Sequence, residues 1–204
     1  MDISRTYAYI CEIPSELRLC DVFPSERNDE IQKTANEKLR AEKYFAWRLL
    51  EYAISKLLKK TMQEISFKKG DNGRWSAEGF DFSLSHSNGV VAVVISDSAV
   101  GIDIEQVSAP KSKSFARRIF SDGEYSEFLS IPSEKREEYL AKKWTEKEAV
   151  FKSRNLSAFI PRQTAAENGE KVKTEFFTIG DKRYFCSVCS LQAIANAEIV
   201  DLKK

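Results

Sequence analysis

Asp103 and Glu105 stand two residues apart in Val100-Gly-Ile-Asp-Ile-Glu105, and that spacing is the most chemically informative feature of the chain. Val100, Ile102 and Ile104 alternate with Gly101, Asp103 and Glu105 at the period of a β-strand. The aliphatic side chains therefore share one face and the two carboxylates the other. Side chains two apart on a strand stand roughly 7 Å from each other, within reach of one hard cation. Without such a cation the acids repel, and one tends to keep its proton. The strand is expected to serve a metal ion.

Two further groups could join this chemistry. His86, the single histidine, lies between Ser85 and Ser87 ahead of the acidic strand and is read as facing it. Taken alone, it is either a ligand-binding residue or a satisfied structural histidine. In the stretch 134–154, Leu140, Trp144 and Phe151 form an apolar stripe at helical spacing. Glu148 borders that stripe and Lys152 sits one turn further along the same edge. An acid so placed can point into a cleft between helix and sheet. By themselves, Glu148 and Lys152 read rather as an ordinary surface i,i+4 pair worth about 0.2–0.5 kcal/mol.

The elements that must hold these residues follow from periodicity and punctuation. Tyr7–Ile13 is expected to be a strand ended by Pro14, and residues 35–60 a long amphipathic helix. Lys43 falls inside the apolar stripe of that helix, where it either snorkels to the rim or reaches a buried anion. Residues 70–73 form a turn, and Phe82–Ser85 and Val90–Ser96 a hairpin around Asn88-Gly89. A short helix is expected around 115–120, another from 121–124 and a long one over 134–154. Strands follow at 174–179 and 183–191. Each half thus runs from helix to antiparallel strands, which predicts two similar α+β lobes, 1–98 and 99–204.

Composition bounds the partners. The 204 residues carry 32 Lys and Arg against 31 Asp and Glu, for a net charge of +1, so binding to nucleic acid by bulk charge is not expected. No apolar run approaches the roughly 20 residues that span a bilayer, and the N-terminus lacks the pattern of a secretory signal. Of the four cysteines, Cys186 and Cys189 form a single Cys-x-x-Cys with neither a second pair nor nearby histidines. Free buried thiols in a reducing cytoplasm are expected in place of a zinc site.

Four motifs occur in order: Ser85-His86-Ser, Val100-Gly-Ile-Asp-Ile-Glu105, Arg118-Ile-Phe-Ser-Asp-Gly-Glu124-Tyr, and Trp144-Thr-Glu-Lys-Glu148-Ala-Val-Phe-Lys152. Together, over residues 74–152, they resemble the Sfp-type 4′-phosphopantetheinyl transferases. The resemblance implies an α+β pseudo-dimer, each lobe an antiparallel sheet against a long helix, with the active site in the cleft between lobes. It implies a holo-acyl-carrier-protein-synthase type of enzyme that moves the phosphopantetheine arm of coenzyme A to a serine of an apo acyl or peptidyl carrier protein, releasing 3′,5′-ADP. Mg²⁺, or Mn²⁺, would be held by Asp103, Glu105 and Glu148, and Lys152 would contact the coenzyme A phosphates. Ser85 and His86 would bind the nucleotide end, Arg74 would lie near the adenine, and Lys43 or Arg48 would meet the 3′-phosphate. Glu148, directly or through a water at the metal, would take the serine proton, with Glu124 a second candidate. A cytoplasmic monomer serving fatty acid, polyketide or nonribosomal peptide synthesis is implied, with no membrane partner. Lys111, Lys113, Arg117 and Arg118 could steer an acidic carrier, or simply be solvated.

The chain departs from the family pattern in places. The usual Gly-Lys-Pro reads Gly73-Arg74-Trp75, a glycine-rich loop reads Ser153-Arg-Asn-Leu-Ser-Ala158, and Trp47 stands where a glycine is frequent. Two other readings use the same residues: a metal-dependent phosphohydrolase acting on coenzyme A or nucleotides, and a non-catalytic module that docks carrier proteins.

Overall fold

The turn Asn88-Gly89 takes φ values of 47° and 91°, the left-handed pair that closes a two-residue hairpin with the twist of its strands. It joins β4 (Asp81–Ser87) to β5 (Val90–Ser96), paired antiparallel from Asp81–Ser96 to Ser87–Val90. The other edge of β5 takes β1 (Tyr7–Glu12), also antiparallel, with Tyr7 opposite Ile95. This computed structural model describes residues 5–15, 23–108 and 113–202.

A four-strand sheet, ordered β4-β5-β1-β9, is completed by β9 (Glu198–Ile199), which returns from the far end of the chain to pair parallel with β1. The second sheet, ordered β6-β8-β7, joins β6 (Val100–Gln106), β7 (Lys171–Ile179) and β8 (Lys182–Ser190), all antiparallel. A small hairpin of β2 (Phe67–Lys69) and β3 (Trp75–Ala77) stands apart. The helices are α1 (Ser25–Gln32), α2 (Glu37–Leu58), α3 (Lys113–Ile119), α4 (Asp122–Ser130) and α5 (Arg136–Ser153). The mixed α+β architecture with antiparallel sheets agrees with the expectation from sequence. Helix α1, the β2–β3 hairpin and β9 were not foreseen.

The period-two alternation of β5 explains the layering. Val91, Val93 and Ile95 pack on Trp47, Leu50 and Ile54 of α2, while Val90, Ala92 and Val94 pack on Ile102, Ile104 and Val188 of the second sheet. Every residue of β5 is buried. The layers therefore run α2, first sheet, second sheet, α5. Each fully buried valine or isoleucine between them contributes about 1.5–3 kcal/mol.

Helix α5 meets the second sheet through small residues. Ala141, Thr145, Ala149 and Ser153 recur every fourth position and are all buried. Trp144, at the centre of the apolar stripe, turns instead to Phe115 and Phe159, with ring centroids 5.7 and 5.5 Å away. The reason is Gly101: a Cβ there would fall on the Ala149 carbonyl and the Ser153 amide, so helix and strand touch backbone to backbone. Cys11, Cys186 and Cys189 are buried, and Cys186 and Cys189 are free thiols as the spacing predicted; Cys20 lies outside the described residues.

Candidate active site at the seam between the sheets

Strands β4 and β6 are edges of different sheets, yet they run side by side. The side chains of β4 occupy the places of a backbone ladder: Val100 N donates to Asp81 Oδ2 at 2.9 Å, Ile104 N to Ser85 Oγ at 3.2 Å and Gln106 N to Ser87 Oγ at 3.1 Å. The constant offset of nineteen residues makes the two strands parallel. Ser83, Ser85 and Ser87 are buried along this seam. The alternating serines of Phe82-Ser-Leu-Ser-His-Ser carried that signal, since one polar face repeated at period two asks for polar partners.

The seam delivers Asp103 to Lys152. Ser85 Oγ donates to Asp103 Oδ1 at 2.7 Å, and Lys152 Nζ donates to the same oxygen at 2.7 Å. Only 8% of the Asp103 side chain and 25% of that of Lys152 are exposed, so this is a partly desolvated ion pair between β6 and α5 and not a surface pair within one helix. Ser87 Oγ donates to Glu105 Oε2 at 3.3 Å. Glu148 is half-buried beside them. Burial pushes its carboxyl up to about 6, with Asp103 and Glu105 adding to the rise and Lys152 opposing it.

Whether a divalent cation fits here can be judged from the donors. Asp103 Oδ2 is buried without a hydrogen-bond partner, an acceptor that a cation would satisfy. Glu148 feels the charges of Asp103 and Glu105, and all three offer the oxygen ligands that Mg²⁺ and Mn²⁺ prefer. Among the described residues, no three His, Cys, Asp or Glu side chains already stand as a metal-holding group. The donor chemistry fits a hard cation, with Lys152 paired to one of the acids.

The remaining candidate residues separate. His86 does not face the acidic strand: alternation turns Ser85 and Ser87 to β6 and His86 to the α2 side. There His86 Nδ1 lies 3.0 Å from Glu42 Oε2. Loss of hydration holds its pKa below the usual imidazole value; Glu42 and Asp103 work against this, while Lys152 and Arg27 reinforce it. Lys43 Nζ donates to Thr34 Oγ1 at 3.0 Å, and Arg48 pairs with Glu51 at 2.5 Å, so both cations are engaged on the α1–α2 side. Arg74 pairs with Asp81 at 2.9 Å and also donates to the Lys152 carbonyl. Glu124, the second candidate base, closes the capping box of α4 with Ser121 and pairs at 3.0 Å with the buried Lys147. Arg117 pairs with Asp122, and Arg118 lies over Phe115. Lys111 is outside the described residues, and Lys113 begins α3. The reading from sequence missed Asp81, Ser87 and Glu42.

Beside Lys152 a cavity of about 360 Å³ opens between Arg74 and Trp75 on one side and Phe151 and Leu156 on the other. Arg74 and Lys152 line it together with Trp75, Phe82, Phe151 and Leu156, so cationic and apolar side chains share its wall.

Residues 99–197 match the 4′-phosphopantetheinyl transferase superfamily. Over 131 residues the chain is 35% identical to the 4′-phosphopantetheinyl transferase psf-1 of Bacillus pumilus, covering 60% of this chain and 55% of that protein. It is 31% identical over 156 residues to gsp of Aneurinibacillus migulanus, covering 69% of this chain and 65% of gsp. It is also 31% identical over 136 residues to AcpT of Salmonella typhimurium, covering 64% of this chain and 68% of AcpT. The matched segment thus spans a little over half of psf-1 and just under two thirds of gsp. The chain belongs to the 4′-phosphopantetheinyl transferase superfamily.

Proposed function

We propose that this chain transfers the 4′-phosphopantetheine arm of coenzyme A to a serine hydroxyl of an apo acyl or peptidyl carrier protein, with Mg²⁺ or Mn²⁺, and releases 3′,5′-ADP. The observation that carries this reading is the junction of Asp103 with Lys152 and Ser85 at the seam, beside a half-buried Glu148 whose proton affinity is raised.

In the reaction a bond forms between the serine Oγ and the β-phosphorus of coenzyme A, and the bond from that phosphorus to the bridging oxygen breaks. When bound, the divalent cation supplies a Lewis acid and template for the diphosphate, and Asp103, Glu105 and Glu148 are the residues that would hold it. Lys152 sets a fixed positive charge beside the departing phosphate, where negative charge accumulates. Glu148, directly or through a water, takes the proton at the serine Oγ; burial beside Asp103 and Glu105 raises its proton affinity in the absence of the cation. Arg74 and Lys152 border the cavity assigned to the nucleotide. Ser85, on the β6 side, and His86, on the α2 side, would bind the nucleotide end, and Lys43 or Arg48 would meet the 3′-phosphate.

The same reading divides the chain into lobes 1–98 and 99–204 of a pseudo-dimer, with coenzyme A in the cleft between them, and makes it a monomer acting in the cytoplasm without nucleic acid or membrane. Among the described residues no helix is long and apolar enough to cross a membrane.

Incubation with coenzyme A, Mg²⁺ and an apo carrier tests it by mass spectrometry. The carrier should gain one phosphopantetheine arm, and chelation of the cation should abolish the gain. Release of 3′,5′-ADP with an unchanged carrier mass points to a phosphohydrolase, and carrier binding without any reaction points to a docking module. Either outcome overturns the proposal.

A further inference from the structure

Arg74 ties four elements together at the lower end of the seam. Its guanidinium donates through one nitrogen to both carboxylate oxygens of Asp81, at 3.1 and 2.9 Å, to the Phe82 carbonyl at 3.2 Å and to the Val100 carbonyl at 3.0 Å. Its other terminal nitrogen donates to the backbone carbonyl of Lys152. Asp81 in turn accepts the Val100 amide at 2.9 Å. One side chain therefore joins the entry to β3, the start of β4, the start of β6 and the last turn of α5.

That geometry needs a guanidinium. The last turn of a helix carries partial negative charge, so a cation is favoured there, and the Lys152 carbonyl accepts the Arg74 guanidinium in addition to the Asn155 amide at 3.2 Å. Serving that carbonyl and a carboxylate together takes donors spread along a rigid fork, and an ammonium is only a compact point charge. This chain has Arg74 where the family resemblance leads to a lysine. The carbonyl it holds belongs to the residue whose ammonium lies 2.7 Å from Asp103 Oδ1. Gly101 of β6 lets the same turn come into backbone contact with the strand.

We propose that Arg74 is a positioning residue: by clamping the Lys152 carbonyl to Asp81 and the start of β6, it sets where the Lys152 ammonium stands in the site. The inference rests on Lys152 acting on the coenzyme A phosphates. Loss of the clamp displaces the ammonium by a fraction of its reach, and misplacements of about 1 Å cost up to roughly a hundredfold in rate.

The test is a double-mutant cycle on carrier loading, combined with backbone hydrogen exchange. Arg74→Ala should lower kcat about ten- to a hundredfold with a smaller change in the KM for coenzyme A. In a Lys152→Ala background the same change should cost less than about twofold, because no ammonium is left to place. Arg74→Lys, which keeps a cation beside Asp81, should recover only part of the rate, and it carries the cycle if Arg74→Ala does not fold. Amides of Ser153, Arg154 and Asn155 should exchange at least about fivefold faster in Arg74→Ala, with the β7–β8 hairpin unchanged. Equal losses in both backgrounds overturn the proposal. So does a raised KM with unchanged kcat, which assigns the guanidinium to direct nucleotide contact. If the wild-type chain loads no carrier, the proposed function fails, and the exchange comparison alone decides the role of Arg74: unchanged protection at residues 153–155 overturns it.

Discussion

Lys152 Nζ lies 2.7 Å from Asp103 Oδ1, a contact made across forty-nine residues and between a helix and a strand of the second sheet. It leaves the other oxygen of Asp103 buried and unpartnered. The ammonium balances part of the charge of Asp103, Glu105 and Glu148. It does so from the side on which α5 packs on β6, where Gly101 admits the helix backbone. A buried charge that keeps its partner is tolerated, and one that loses it is costly.

Lys152→Ala should therefore act on substrate and on structure at once. Steady-state kinetics should show the KM for coenzyme A rising about tenfold or more and kcat falling, as expected on removing a charge-assisted phosphate contact. Asp103 is then left buried without its cation, so the urea midpoint should drop as well. Ordinary kinetics in this variant contradict the role given to Lys152.

Gly101→Ala tests the backbone contact that places the site. The added methyl has nowhere to go, because its neighbours are the backbone atoms of Ala149 and Ser153 and not flexible side-chain ends. Chemical denaturation should show a loss of about 3 kcal/mol or failure to fold. Gly123→Ala, where a Cβ would meet nothing within 4 Å, should be neutral or stabilising by up to about 1 kcal/mol. Equal effects at the two glycines refute the argument.

Glu124 and the buried Lys147 predict an acid limb of stability. Burial alone raises the Glu124 carboxyl, but the Ser121 amide and the Lys147 ammonium outweigh it and hold the pKa below its usual 4.5. A carboxylate with a depressed folded pKa stabilises above its unfolded value and loses that contribution as pH falls through the folded one. Urea midpoints should accordingly drop below about pH 4.5 in the wild type, and the drop should be shallower in Glu124→Gln. Identical acid limbs in the two proteins contradict this account.

Much of the frame could be read from sequence where a period is long enough to count. The alternation in Val100–Glu105 and the left-handed Asn88-Gly89 turn fixed β6 and the β4–β5 hairpin, and α2 followed from its apolar stripe. Three-residue β2 and β3 offer too few positions for alternation to show, and the polar run of α1 carries little amphipathic signal. The two residues of β9 form a strand only because β1 is there to receive them. In α5, the eye follows Trp144, but close approach to Gly101 selects the small face of Ala141, Thr145, Ala149 and Ser153.

His86 shows a signal that was present and misread. In a strand, Ser85 and Ser87 share a face that His86 cannot join, so once the serines meet the acids the imidazole must turn to Glu42. The pairing of Asp103 with Lys152 and the clamp of Arg74 were not visible, because they depend on two sheet edges meeting through side chains.

The most direct measurement compares carrier loading by Asp103→Ala and Glu148→Ala with the wild type, alongside circular dichroism of each variant. Turnover should fall by about a hundredfold or more in both, with the fold retained, as expected when groups acting on the reacting phosphate are removed. Loading at the wild-type rate by both folded variants would contradict the claim that these carboxylates form one catalytic site.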